Sequence, residues 1–169
     1  VQFGDLLRKA FVRQLGEELV SGWPGRRRLA SRLLLEREEE GTVLRLGEVR
    51  LEAWMVHAFG WLTADQAGAY FDGKGLAAYG LTEPIVPGRL IGELLLTDAA
   101  RSAEDVLPWA RLSSLDEQLR APVPQGATIT RTVTVLRRAD QSIQFHLEAH
   151  HEGRLVYEAE VTFIQVLDE

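Results

Sequence analysis

Apolar and polar residues alternate most regularly near the C-terminus. There TITRTVTVLRR (128–138), SIQFHLEAHH (142–151) and RLVYEAEVTFIQV (154–166) follow one another with only Ala139-Asp140 and Glu152-Gly153 as turn signals. A period of two over such runs predicts half-buried strands, and short turns between them predict an antiparallel meander. The first twenty residues follow another rhythm. Phe3, Leu6, Leu7, Ala10, Phe11, Leu15 and Leu19 recur at three- and four-residue spacing, which predicts a helix closed by the cluster SGWPG at 21–25. LASRLLLERE (29–38) and TVLRLGEVRL (42–51) then read as two strands around a tight turn at Glu39, Glu40 and Gly41. A short helix is expected from Glu52 to Leu62, with Trp54, Val56, Phe59 and Leu62 turned inward.

PIVPGRLIGELLLTDAA (84–100) predicts the central element. Pro87 and Gly88 suit a helix start, and Leu90, Ile91, Leu94, Leu95 and Leu96 cover most of the circumference. A helix so apolar on nearly all sides is expected to be buried. Residues 101–127 read as irregular, punctuated by Pro108, Pro122 and Pro124. One buried helix against a mostly antiparallel sheet is an α+β layer architecture. Wrapping the sheet round the helix gives the hot-dog arrangement, here a single domain over 1–169 with residues 1–22 as a helical appendage.

Composition narrows the function classes. The length of 169 residues suits one domain with a sizeable core. No apolar run is long enough to span a bilayer, no signal-peptide pattern opens the chain, and the cytoplasm is the expected address. The absence of Cys removes disulfides, thiolate nucleophiles and thiolate metal sites. A net charge of −6 argues against nucleic acid as partner. The basic residues are nearly all Arg, and Arg26-Arg27-Arg28 reads as a solvated turn or an anion patch. His146 and His150 share a strand face without a third ligand at metal spacing, so no metal is expected, nor any cofactor.

LTADQAGAYFDGKG (62–75) is too polar and Gly-rich for a core strand, yet places Asp65 five residues before Tyr70. Asp in such a stretch is a turn former as readily as an acid–base group. FDGKG is a turn, because it lacks the spacing and hydroxyl of a phosphate loop. Glu93 is the other notable acid, since a carboxylate within so apolar a helix needs a partner or a site.

The segment from Val49 to about Leu96 resembles the MaoC-like (R)-specific enoyl-CoA hydratases, with their "GDxNPxHxD" loop and "PIxHG" helix start. In this register Asp65 falls on the catalytic Asp, Asp72 on the later acid, and Pro84, Ile85, Val86 and Gly88 on the helix-start turn. Tyr70 stands at the catalytic His, Ala67 and Gly68 at "NP", and Pro87 at the His of "PIxHG". RAPVPQGATI and EGRLVYEAEVTF also resemble the β-hydroxyacyl-ACP dehydratases. In that register Glu93 takes the place of the helix acid, and the His would be Tyr79, or His57 if a loop were inserted.

These resemblances imply a hydratase or dehydratase acting on the C2–C3 bond of an acyl-CoA or acyl-ACP thioester, weakened by loss of the His. They imply Asp65, Tyr70 and Glu93 as catalytic candidates. Gly88, Pro87 and Val86 would line the substrate, with the Gly88 N–H at the thioester oxygen. A homodimer with sheets continued across the interface is implied as well. A non-catalytic acyl-CoA-binding protein and a hot-dog thioesterase are the alternatives.

Overall fold

The computed structural model describes residues 40–64, 70, 76–107 and 109–166. The expected N-terminal helix and the strand at 29–38 lie outside the described residues. Strand β1 (Val43–Arg50) leads into helix α1 (Ala53–Thr63), a 3₁₀ turn at Leu76–Tyr79 and helix α2 (Gly88–Val106). Strands β2 (Ala110–Leu119), β3 (Thr128–Ala139), β4 (Ser142–His151) and β5 (Arg154–Gln165) follow. They form a five-stranded antiparallel sheet in the order β1-β3-β4-β5-β2, so β1 and β2 are its edges.

Alternation along β3 to β5 sets one face inward, as the sequence predicts. Ile129, Val133 and Val135, then Ile143, Phe145, Leu147 and Ala149, then Tyr157, Ala159, Val161 and Phe163 are all buried. Phe145 and Phe163 meet edge to face with centroids 6.2 Å apart, a preferred geometry for aromatic pairs. Against this face lies α2, burying Leu90, Ile91, Leu94, Leu95, Ala99 and Ala103. The hot-dog arrangement is therefore the architecture of the described residues.

Three details differ from the sequence-based expectation. First, α2 starts at Gly88 but continues through residues 101–106, which were expected to be irregular. Ala99 and Ala103 carry no large apolar group, yet their small side chains let the helix lie close to the sheet. The helix also keeps an exposed stripe at Arg89, Glu93 and Thr97, spaced four apart, while Leu96 is half-buried. Second, α1 forms as expected, but it buries Met55, Val56, Phe59 and Gly60 and leaves Trp54 and Leu62 exposed. Helical periodicity puts Trp54 opposite that buried face and Leu62 at its margin.

Third, β2 lies wholly within the stretch expected to be irregular. A bulge between Leu112 and Ser114 shifts its register on β5, so inward positions fall at Leu112, Leu115, Glu117 and Leu119 rather than at every second residue. These side chains share the face of their neighbours Phe163, Val161, Ala159 and Tyr157. Even so, Leu112, Leu115 and Leu119 stay 41–52% exposed at the sheet edge, next to Trp109.

One polar contact crosses the core. Arg131 sits on the inward face of β3 and binds the Asp98 carboxylate of α2, and both are buried. Burial pushes the Asp98 carboxyl above its usual value, and the positive charges of Arg131 and Arg101 pull it part of the way back. The Arg131 Nε–H has no hydrogen-bond partner among the described residues.

Candidate active site

The start of α2 is built by backbone pairing rather than by a capping side chain. Val86 N–H donates to the Val123 carbonyl at 2.8 Å, Gln125 N–H donates to the Pro84 carbonyl at 3.0 Å, and Ile85 bridges Pro124. The turn before the helix is thus laid against residues 123–125. Pro87 is the N-cap and makes no side-chain cap bond. The first N–H groups of a helix lack intrahelical acceptors and sit at the positive end of its dipole. Leu90 N–H already donates to the Pro87 carbonyl, so the Gly88 and Arg89 N–H groups are the ones that suit an oxygen that becomes negative.

Of the three residues expected to line substrate, Gly88 is half-exposed, whereas Pro87 and Val86 are buried. The N–H of Val86 is already used by Val123. Gly88 also lets Leu119 pack closely, because a Cβ there would lie 3.1 Å from both Leu119 methyl carbons.

Tyr70 is brought to this helix start. Its backbone carbonyl accepts from the side-chain amide of Gln125, whose Nε2 also lies 3.5 Å from the Ile85 carbonyl. Its ring is half-buried and packs on the core. Asp65 and Asp72 lie outside the described residues. Glu93 is exposed on α2, five residues past Gly88.

Glu93 belongs to a cluster the sequence did not reveal. Tyr157 is 2% exposed, and its hydroxyl donates to Glu117 Oε2 at 2.6 Å. Burial, the bond to Glu117 and the charges of Glu117 and Glu93 all push the phenol above its usual pKa. It therefore stays a protonated donor. The hydroxyl runs so close to α2 that a Cβ at Gly92 would lie 2.5 Å from it and 3.0 Å from Glu117 Oε2. Glycine at 92 makes room for this pair.

Gln125 and Glu117 both escaped the sequence reading. Gln125 is one polar residue in a Pro-rich loop, and Glu117 lies in the strand whose bulge hides its inward face. Among the described residues no three His, Asp or Glu side chains gather as a metal-binding group, and no described helix is long and apolar enough to cross a membrane.

No protein-family model matches the sequence, and no curated protein matches it. Solved structures do share its fold. An (R)-hydratase from A. caviae involved in PHA biosynthesis superposes with a TM-score of 0.67 at 22% identity, covering 78% of this chain and 99% of that one. An R-hydratase from Pseudomonas aeruginosa gives 0.62 at 17% identity, covering 79% and 86%. The HadBC 3R-hydroxyacyl-ACP dehydratase complex from Mycobacterium tuberculosis gives 0.62 at 17% identity, covering 75% and 98%.

Proposed function

We propose that this protein hydrates enoyl thioesters, or dehydrates 3-hydroxyacyl thioesters, of CoA or acyl carrier protein. The observation that carries the reading is the uncapped start of α2 at Gly88, with Tyr70 tied to it through Gln125. The shared fold with an (R)-hydratase and a 3R-hydroxyacyl-ACP dehydratase supports it. In hydration a water adds its oxygen to C3 while a proton goes to C2. Charge develops on the thioester oxygen, and the helix N–H groups would bind it there. Asp65 is the group assigned to the water, taking its proton as the C3–O bond forms. Tyr70 helps orient that acid as a hydrogen-bond donor, and Glu93 lies on the α2 face nearby in sequence.

Purified protein with crotonyl-CoA tests this directly. Loss of enoyl absorbance without thiol release is the expected result. Thiol release would instead favour a thioesterase, with the exposed Glu93 activating water against the carbonyl carbon. Neither change, with acyl-CoA still raising the melting temperature, would leave a binding protein.

The reading includes a homodimer paired along β2. Among the described residues that edge is unpaired and carries the exposed side chains of Trp109, Leu112, Leu115 and Leu119, and an open apolar edge is a site for pairing. These leucines continue the core face of β5, and although Leu119 packs on Gly88 of α2 they stay 41–52% exposed, so a second copy extending the sheet would cover them. Leu115→Glu is expected to weaken association by at least about tenfold, since it puts a charge where pairing would bury a leucine. Sedimentation at matched concentrations should show the wild type as a dimer and the variant shifted to monomer. A monomeric wild type would remove the pairing.

A further inference from the structure

We infer that Glu117 is the group that takes the C2 proton of a 3-hydroxyacyl thioester, and returns it in hydration, with Tyr157 as its positioning residue. The inference rests on the hydratase/dehydratase reading and deepens it, supplying a second proton-handling group where the helix-start loop carries Tyr70 instead of His.

Three observations converge. The inward positions of β2 are otherwise apolar, Ala110 and three leucines, so an acid at 117 breaks the pattern of the face it belongs to. Its cross-strand neighbour is the small Ala159, and Glu117 itself remains exposed, so a substrate can reach it. Tyr157, fully enclosed, gives its hydroxyl to one carboxylate oxygen, Oε2. That bond fixes the group's orientation, and among the described residues Oε1 has no hydrogen-bond partner, which leaves it for a substrate.

Position matters as much as orientation. Gly88 and Gly92 share one face of α2, a single turn apart. Leu119 packs on the first and Glu117 on the second. The carboxylate therefore stands beside a residue that lies four positions, about 6 Å of helix rise, past Gly88. A thioester whose oxygen is held by the N–H groups at the helix start has C2 next to its carbonyl carbon, on a scale that a carboxylate one turn away can meet.

In the dehydration direction Glu117 removes the C2 proton, and the C–H electron pair forms an enolate stabilised at the helix start. The pair then moves in to make C2=C3. The C3–O bond breaks, and the leaving oxygen takes up one proton from solvent and departs as water. Glu117 then returns the C2 proton to solvent. Hydration is the reverse. No other reactant is required.

Wild type, Glu117→Gln, Glu117→Asp and Tyr157→Phe are compared in crotonyl-CoA hydration and in dehydration of 3-hydroxybutyryl-CoA with or without deuterium at C2. Glu117→Gln should lose about 10²-fold or more in kcat, the low end for a positioned acid–base group, with its melting temperature kept. Glu117→Asp should recover part of the rate with a larger C2 isotope effect, because a shorter carboxylate makes proton transfer limiting. A merely structural role would not move that isotope effect. Tyr157→Phe should lower kcat by about tenfold with KM little changed.

An active wild type with Glu117→Gln within about threefold of it overturns the assignment and leaves the hydratase reading standing. An inactive wild type overturns both. If Glu117→Gln fails to fold, Tyr157→Phe decides: unchanged kcat and isotope effect in that variant overturn the pairing.

Discussion

Replacing Arg131 with methionine is expected to destabilise the protein by about 3–5 kcal/mol, the usual cost of leaving one member of a buried ion pair without its partner. Asp98 and Arg131 are 7% and 6% exposed, so water cannot take the place of the guanidinium. The pair as a whole contributes much less than this, because both charges were desolvated to form it and the Arg131 Nε–H stays unpaired. Replacing both, as Asp98→Leu with Arg131→Met, should bring stability back towards wild type. Denaturant midpoints of the four proteins give the coupling directly.

The same variant carries a pH signature with a definite sign. Burial already holds the folded-state Asp98 carboxyl above 3.8, against the pull of Arg131 and Arg101. A raised folded value means that the stability linked to the protonated form is fully present below 3.8 and is lost as pH rises through the folded value. Removing Arg131 takes away the largest opposing charge, so the window extends upward. The deficit of Arg131→Met relative to wild type should therefore be small near about pH 4 and grow towards about pH 8. Adding Asp98→Asn should flatten it. A deficit independent of pH would mean that Arg131 stabilises by packing alone.

How far the sequence reveals this molecule depends on whether local pattern and tertiary environment agree. Strands β3 to β5 were legible because one buried face and one wet face write a strict alternation along them. The start of α2 was legible because Pro87 and Gly88 precede a dense apolar run. Its second half was not. There the buried face is made of Asp98, Ala99, Ser102 and Ala103, residues that look like surface until the sheet brings Arg131 to the aspartate. Strand β2 was hidden by one extra residue, since a bulge turns alternation into spacings of three and two. With the strand went Glu117, whose inward placement has meaning only against Leu115 and Leu119. For Tyr70 the sequence supplied the residue and the resemblance supplied its place, but the hold on its carbonyl comes from Gln125, 55 positions away. Pairings of that separation leave no local trace.

The proposed chemistry makes its largest demand on Asp65. Asp65→Asn is expected to lower crotonyl-CoA hydration by about 10²–10⁴-fold, the range a positioned acid–base group supplies, because an amide accepts no proton from water. Tyr70 gives the complementary test. A phenol, with a reference pKa of about 10, donates a hydrogen bond to a neighbouring acid but relays no proton at neutral pH. An imidazole, at about 6.5, does both. The bond from Gln125 to the Tyr70 carbonyl does not use the side chain, so Tyr70→His keeps that hold at the helix start while it changes the group presented. Hydration should then rise by at least about tenfold, and the gain should vanish when Asp65→Asn is added. Steady-state rates of the two single variants and the double variant decide the point. A gain that survives Asp65→Asn would show that the new His works with another acid, Glu93 or Glu117. No gain at all, with Asp65→Asn also silent, would remove the 62–75 loop from the chemistry and leave the cluster around Tyr157 as its site.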